Sequence, residues 1–178
     1  STVTVRVTSV AALPDESIRF EEPYWLTKYP VTNGQYACFV AAGGYDEESL
    51  WHKAGWKWRE ENEVLEPIFW RDVKWNGVTQ PVVGVSWWEV DAFCRWAGCR
   101  LPTEREWEAA ARGPQGWVYP WEGDWREGIC NTVEADLGVT TPVGIFRHSA
   151  AVCGAHDMAG NVWDWCGDTY HATQEDDP

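Results

Sequence analysis

Fifteen tryptophans in 178 residues set the terms on which this chain can fold. A buried indole removes roughly 150–250 Å² from water, so the tryptophans alone bring on the order of 3,000 Å² of core-forming surface. A chain so supplied needs neither long helices nor a broad sheet. Aromatic wedges can order irregular loops that would otherwise fray, and loops are where binding usually sits. With 44% apolar and 24% charged residues, the length suits a single globular domain over residues 1–178. Fourteen Lys and Arg oppose 28 Asp and Glu, and a formal charge of −14 opposes any phosphate-tracking surface, so no nucleic-acid partner is expected. Uninterrupted apolar runs are far shorter than the roughly 20 residues of a membrane-crossing helix. The opening STVTVRVTSV also lacks the basic, apolar and small-residue order of a secretory leader. The expectation is a soluble, cytoplasmic chain with no membrane partner.

Alternation in STVTVRV and around Tyr24, Trp25 and Leu26 predicts β-strands within residues 1–29. Three short helices are then predicted. The first starts at Thr32 or Asn33, carries Tyr36, Phe39 and Val40 on one face, and stops at Gly43-Gly44. The second opens with the capping box Ser86-Trp87-Trp88-Glu89, runs through Val90, Phe93, Cys94 and Ala97, and ends at Gly98. The third repeats the device in Thr103-Glu104-Arg105-Glu106, continues through Trp107, Ala110 and Ala111, and terminates at Gly113-Pro114. Trp87, Trp96 and Trp107 are expected in the core, and Arg100 is expected to pair with Glu104 near a helix start. Between the first two helices lies a segment holding Trp51, Trp56, Trp58, Trp70 and Trp75, with no sustained period. It reads as a packed loop. After Gly113 the pattern is turns and short strands, and Gln174 to Pro178 reads as a solvated acidic end.

The six cysteines form no C-x-x-C pair and have no companion histidine spacing, which disfavours structural zinc. Most are expected to be buried, reduced thiols. His52, His148, His156 and His171 stand apart and are read as surface or hydrogen-bonded structural residues. There is no phosphate-binding glycine loop, no H-E-x-x-H and no nucleophile elbow, and Ser86 is better explained as a helix cap.

What the chain does contain is an ordered series of motifs. They are Tyr29-Pro30-Val31-Thr32-Asn33, Pro81-Val82 followed by Val85-Ser86-Trp87, and Arg100-Leu101-Pro102-Thr103-Glu104 followed by Glu106-Trp107-Glu108. Next come Tyr119-Pro120-Trp121, Thr141-Pro142-Val143-Gly144 and Asp157-Met158-Ala159-Gly160-Asn161-Val162-Trp163-Asp164-Trp165. In this order they closely resemble the formylglycine-generating-enzyme (sulfatase-modifying factor) family over roughly residues 20–170. The resemblance implies an α+β, C-type-lectin-like fold of low regular secondary structure, with short antiparallel strands and three short helices. It also implies calcium, held by the Asp157 side chain, the Gly160 and Val162 carbonyls and the Asp164 side chain. Hard oxygen donors of this kind are what calcium takes. A second implied site begins at the Asn131 side chain and the Thr132 carbonyl; its remaining ligands lie in a stretch shortened here to residues 133–138. The family's oxidases use copper on two cysteines that follow a Gly-Gly-Ser-Trp strand. No such strand occurs before Pro178, Cys153 and Cys166 do not match those cysteines, and no catalytic residue is assigned. The family's last strands complete its sheet and this chain is expected to lack them, so that it is a piece of a longer protein, takes those strands from another chain, or closes its fold differently, the first being favoured.

The function expected is a calcium-stabilised, lectin-like module that binds or displays a protein or peptide ligand without a complete oxidase site. Variable proteins of diversity-generating retroelements use the fold in that way. The alternative is a copper-dependent oxidase that makes formylglycine from a sulfatase cysteine, with its catalytic cysteines beyond Pro178. A third, weaker reading is a sulfoxide synthase of the thiohistidine pathways, whose iron-binding helical bundle has no counterpart in residues 1–30. The tryptophans of residues 51–75 are read as loop packing rather than as a carbohydrate or peptide platform.

Overall fold

The computed structural model describes residues 2–7 and 23–168. Strands β1 (Thr4–Val7) and β2 (Tyr24–Thr27) pair antiparallel, with Val5 opposite Leu26 and Arg6 opposite Trp25. Four α-helices follow: α1 (Asn33–Ala41), α2 (Lys53–Glu61), α3 (Trp87–Ala97) and α4 (Glu104–Arg112). The rest is turns, bends and single-turn helices, so the α+β class and the low content of regular structure both hold. The readings for His171 and for Gln174 to Pro178 lie outside the described residues.

Helices α1, α3 and α4 are the three predicted, and each is nucleated by its own capping box. Thr32, Ser86 and Thr103 accept from the N–H three residues on, while Gln35, Glu89 and Glu106 reach back to the cap. Helix α2 corrects the packed-loop reading of its segment. Its cap is His52, whose Nδ1 accepts from the Ala54 N–H at 3.2 Å. Histidine is not among the usual capping residues, which hid the start. The helix is held by packing: Gly55 lies so close to Trp88 that a Cβ there would meet the indole at 2.9 Å.

The main core joins α1 to α3. Tyr36 stacks on Phe93 with centroids 5.1 Å apart, and Phe39, Tyr45 and Trp51 close around them. Glu89 is buried there. Its carboxylate accepts from the Ser86 N–H at 2.7 Å and from the Tyr45 hydroxyl at 2.6 Å, and the Tyr45 hydroxyl lies 3.1 Å from that of Tyr36. Burial drives both phenols well above their ordinary pKa, so they stay protonated. A second cluster gathers Ala110 and Ala111 of α4 with Val7, Ala151, Ala155 and Met158. A third stacks Tyr119 on Trp121 over Ile129 and Cys130.

Three side-chain expectations change. Trp96 keeps 37% of its surface in solvent, with only part of its ring against Phe39 and Phe93. Arg100 pairs with Glu106 rather than Glu104, through two 2.7 Å bonds, because the capping box turns the Glu106 carboxylate back toward the helix start. Of the six free cysteines only Cys94 and Cys130 are buried; Cys38 and Cys99 are exposed.

Candidate functional site

Three loops meet at Asn161. The residue sits in the left-handed region at φ 69°, a conformation asparagine tolerates better than most residues. Its Oδ1 accepts from the Thr141 N–H at 2.8 Å and from Asn131 Nδ2 at 3.2 Å, and its Nδ2 donates to the Thr141 carbonyl at 3.2 Å. Its backbone N–H donates to the Asn131 carbonyl at 2.7 Å. Gly160, at φ 85°, makes the approach possible: a Cβ there would lie 2.4 Å from the Asn131 carbonyl oxygen. The motif signalled the bend, but Asn161, to which no role was assigned from the sequence, is the residue that ties the loops together.

Residues 164–168 then cross the starts of α3 and α4, fastened at five points. Trp107 Nε1 donates to Asp164 Oδ2 at 3.1 Å, Trp165 Nε1 to the Val85 carbonyl at 3.0 Å and Trp87 Nε1 to the Cys166 carbonyl at 2.9 Å. The Gly167 N–H donates to the Pro102 carbonyl at 2.8 Å, and Asp168 accepts from the Glu104 N–H at the first turn of α4. An acidic group at a helix start is favoured by the helix dipole. Trp87 and Trp107 are therefore only partly core; their indole N–H groups hold this strap.

Beside the strap lies an apolar groove of about 340 Å³, walled by Phe69, Trp75, Val85, Val162, Trp163 and Trp165. Trp163 stands fully in solvent at its edge, and Thr140, buried in its lining, has an Oγ1 with no hydrogen-bond partner. Gly84, at φ 69°, floors it: a Cβ would meet the Phe69 ring at 2.7 Å. Asn33 supports the far wall by donating to the carbonyls of Trp75 at 2.9 Å and Gly77 at 3.1 Å.

The residues nominated for calcium fall on the same bend. Asp157 is buried at φ 57°, and its Oδ2 accepts from the Gly144 N–H at 2.7 Å. Burial pushes its pKa up. Asp164, exposed as a residue, is pushed up to about 6 by the protein packed around its carboxylate and by the charge of Asp157, against the Trp107 hydrogen bond. A hard cation beside the two carboxylates would offset the burial that disfavours both charges and the repulsion that Asp157 exerts on Asp164. Among the described residues no three His, Cys, Asp or Glu side chains gather, so such an ion would draw on backbone oxygens as well. The Gly160 carbonyl, which also accepts from the Val162 N–H at 2.9 Å, retains a second lone pair for that role. Carboxylate and carbonyl oxygens of this kind are the hard donors that calcium takes. Asn131 and Thr132 are engaged in framework bonds: the Asn131 amide donates to Val139 and Asn161, and the Thr132 carbonyl accepts from the Ala135 N–H.

The comparisons with known proteins agree with the fold. Residues 2–177 match the family described as the sulfatase-modifying factor enzyme 1-like domain. The hercynine oxygenase of Mycobacterium tuberculosis is 38% identical over 157 residues, covering 78% of this chain and 36% of that protein. The inactive C-alpha-formylglycine-generating enzyme 2 of Bos taurus is 31% identical over 192 residues, covering 87% and 63% respectively. The chain thus spans about a third of the length of the hercynine oxygenases it matches. A solved structure, PvdO from Pseudomonas aeruginosa, superposes with a TM-score of 0.59 over 96% of this chain and 69% of that one at 23% identity, a likeness of fold.

Proposed function

This chain belongs to the sulfatase-modifying factor enzyme 1-like family, and from that membership we propose that its described residues are a ligand-binding scaffold for an extended peptide, clamped by calcium. The observation that carries the reading is the groove beside the strap. Its walls are aromatic, and its edge carries an indole with no packing to do. Aromatic side chains are enriched where proteins recognise partners. The chain's net charge of −14 favours a neutral or basic peptide. The two relatives named above differ in activity, one an oxygenase and one inactive, although both share this stretch. That supports a scaffold role for these residues, with any chemistry supplied by others.

In this reading calcium, held by Asp157, the Gly160 and Val162 carbonyls and Asp164, neutralises the two carboxylates and so stiffens the bend. Asn131 and Thr132 buttress that bend. Asn161 fixes the floor of the site, the three indole bonds keep the strap from lifting, and the groove takes the peptide. The second reading, a copper-dependent formylglycine-generating oxidase acting on a sulfatase cysteine, rests on the family membership, with copper-binding cysteines outside the described residues.

The test is fluorescence anisotropy with a labelled, cysteine-bearing sulfatase peptide in saturating calcium. Binding is expected, weakened about tenfold in Trp163→Ala, as for an anchor worth about 1.4 kcal/mol. Because Trp163 is fully exposed, its loss should change stability by no more than about 0.5 kcal/mol. Flat anisotropy, or equal binding by the variant, would sink the groove assignment. The same peptide followed by mass with copper present decides the oxidase reading.

A further inference from the structure

Helix α3 ends in a double hydrogen-bonded turn around Gly98, which is left-handed at φ 69°. The Cys99 N–H donates to the Cys94 carbonyl at 2.9 Å, and the Gly98 N–H donates to the Arg95 carbonyl at 3.2 Å. In this arrangement the residue after the glycine folds back over the one five positions earlier, and their side chains ordinarily meet in an apolar contact. Here both positions are cysteines. The turn therefore brings the two side chains to the same end of α3, with Cys94 buried in the main core and Cys99 exposed. A backbone closed this tightly suits the short Cα separation, about 4.4–6.8 Å, that a disulfide needs.

The two sulfurs are also unlike in chemistry. The neighbouring Cys94 thiol brings Cys99 down to about 7, while Cys99 and burial drive Cys94 far up. The exposed sulfur is therefore the nucleophile, and the buried one is protected until its neighbour has reacted. An accessible, activated thiol beside a second thiol is the arrangement of redox-sensing pairs.

We propose that Cys94 and Cys99 form a peroxide-reactive dithiol that closes reversibly to a disulfide at the end of α3. The Cys99 thiolate attacks one oxygen of hydrogen peroxide, the O–O bond breaks, and hydroxide leaves as Cys99 becomes a sulfenic acid. Cys94 then attacks the Cys99 sulfur, the S–O bond breaks, and water leaves. Two thiols and one peroxide yield one disulfide and two waters, and an added dithiol reductant reverses the step. The bridge would lock the residue next to Arg100, which holds Glu106 at the start of α4.

The experiment uses the reduced full chain, treated with hydrogen peroxide and mapped with trypsin without reduction. Trypsin cuts after Arg95 and Arg100, so the bridge joins the peptide of residues 75–95 to that of residues 96–100. The linked pair should appear about tenfold or more faster than oxidation of Cys38, which is also exposed but bonds only to the Gly34 carbonyl. Cys94→Ser should instead trap the sulfenic acid on Cys99 as a dimedone adduct. Cys99→Ser, a surface change that leaves the core intact, should lose both products. Absence of the linked pair while Cys38 or Cys99 is oxidised overturns the proposal, as does bridging no faster than oxidation of Cys38.

Discussion

Replacing Gly160 with alanine tests whether the junction of the three loops is as tight as its geometry states. A Cβ at this position would sit 2.4 Å from the Asn131 carbonyl oxygen and 3.0 Å from the carbonyl carbon, both backbone atoms that have no side-chain torsion with which to move away. The left-handed φ of 85° costs an alanine roughly 1–2 kcal/mol before any contact is counted. Pushing Asn131 back then breaks the Asn161 N–H bond to its carbonyl and the Asn131 amide bond to Asn161, each worth about 0.5–1.5 kcal/mol net. The sum is about 2–5 kcal/mol. For a chain of this size that lowers the melting temperature by about 10 °C. Gly123→Ala is the matched control: its φ is 90°, but nothing lies within 4 Å of the Cβ, so only the conformational cost of about 1–2 kcal/mol remains. Differential scanning calorimetry of the two variants, supported by urea unfolding, separates strain from collision. Equal losses in the two variants would refute the close approach of the loops.

Three further outcomes are expected. Saturating EDTA should lower the melting temperature of the calcium-loaded chain, by an amount equivalent to about 2.7 kcal/mol if free calcium was at 100 times its Kd, and Asp157→Asn should abolish the response; an unchanged curve counts against calcium. The bonded Arg100 guanidinium holds the Glu106 carboxyl below its ordinary value of 4.5, so this pair's contribution is complete above about pH 4.5 and fades as pH falls through the lower, folded value. The gap in urea midpoint between wild type and Glu106→Gln should therefore narrow below pH 4.5, and a constant gap would contradict the pairing. Asn33→Ala should cost about 1–3 kcal/mol in urea unfolding, because it removes the buried amide that holds the partly buried carbonyls of Trp75 and Gly77; a loss below about 0.5 kcal/mol would show that those carbonyls find other donors.

Much of this was legible in the residues because three helix starts carry their own signal. Thr32, Ser86 and Thr103 each have Gln or Glu three places on, a pattern that acts within one turn and needs no tertiary help. Helix α2 was hidden because its cap is His52 and its packing partner, Trp88, lies more than 25 positions away. The choice between Glu104 and Glu106 for Arg100 turned on the same capping geometry, which had been read for the helix but not for the ion pair. In the site, the bend of residues 157–165 was recognisable by resemblance. The use of Trp87, Trp107 and Trp165 as hydrogen-bond donors was not, since a tryptophan count registers apolar area and is silent on where each N–H points. The thiol pair was missed for a related reason: a five-residue spacing means little until the left-handed Gly98 folds the chain back.

The knot at Asn161 also bears on how the molecule tolerates change. Because each of its loops is anchored in another, no one of them can fray alone, and amide exchange at residues 141 and 161 should proceed with a single shared rate. Slack remains where the chain turns outward between residues 133 and 138, with Val133 and Leu137 facing water. Insertions there would leave the junction untouched, which makes that turn the natural place to graft a new recognition element onto this scaffold.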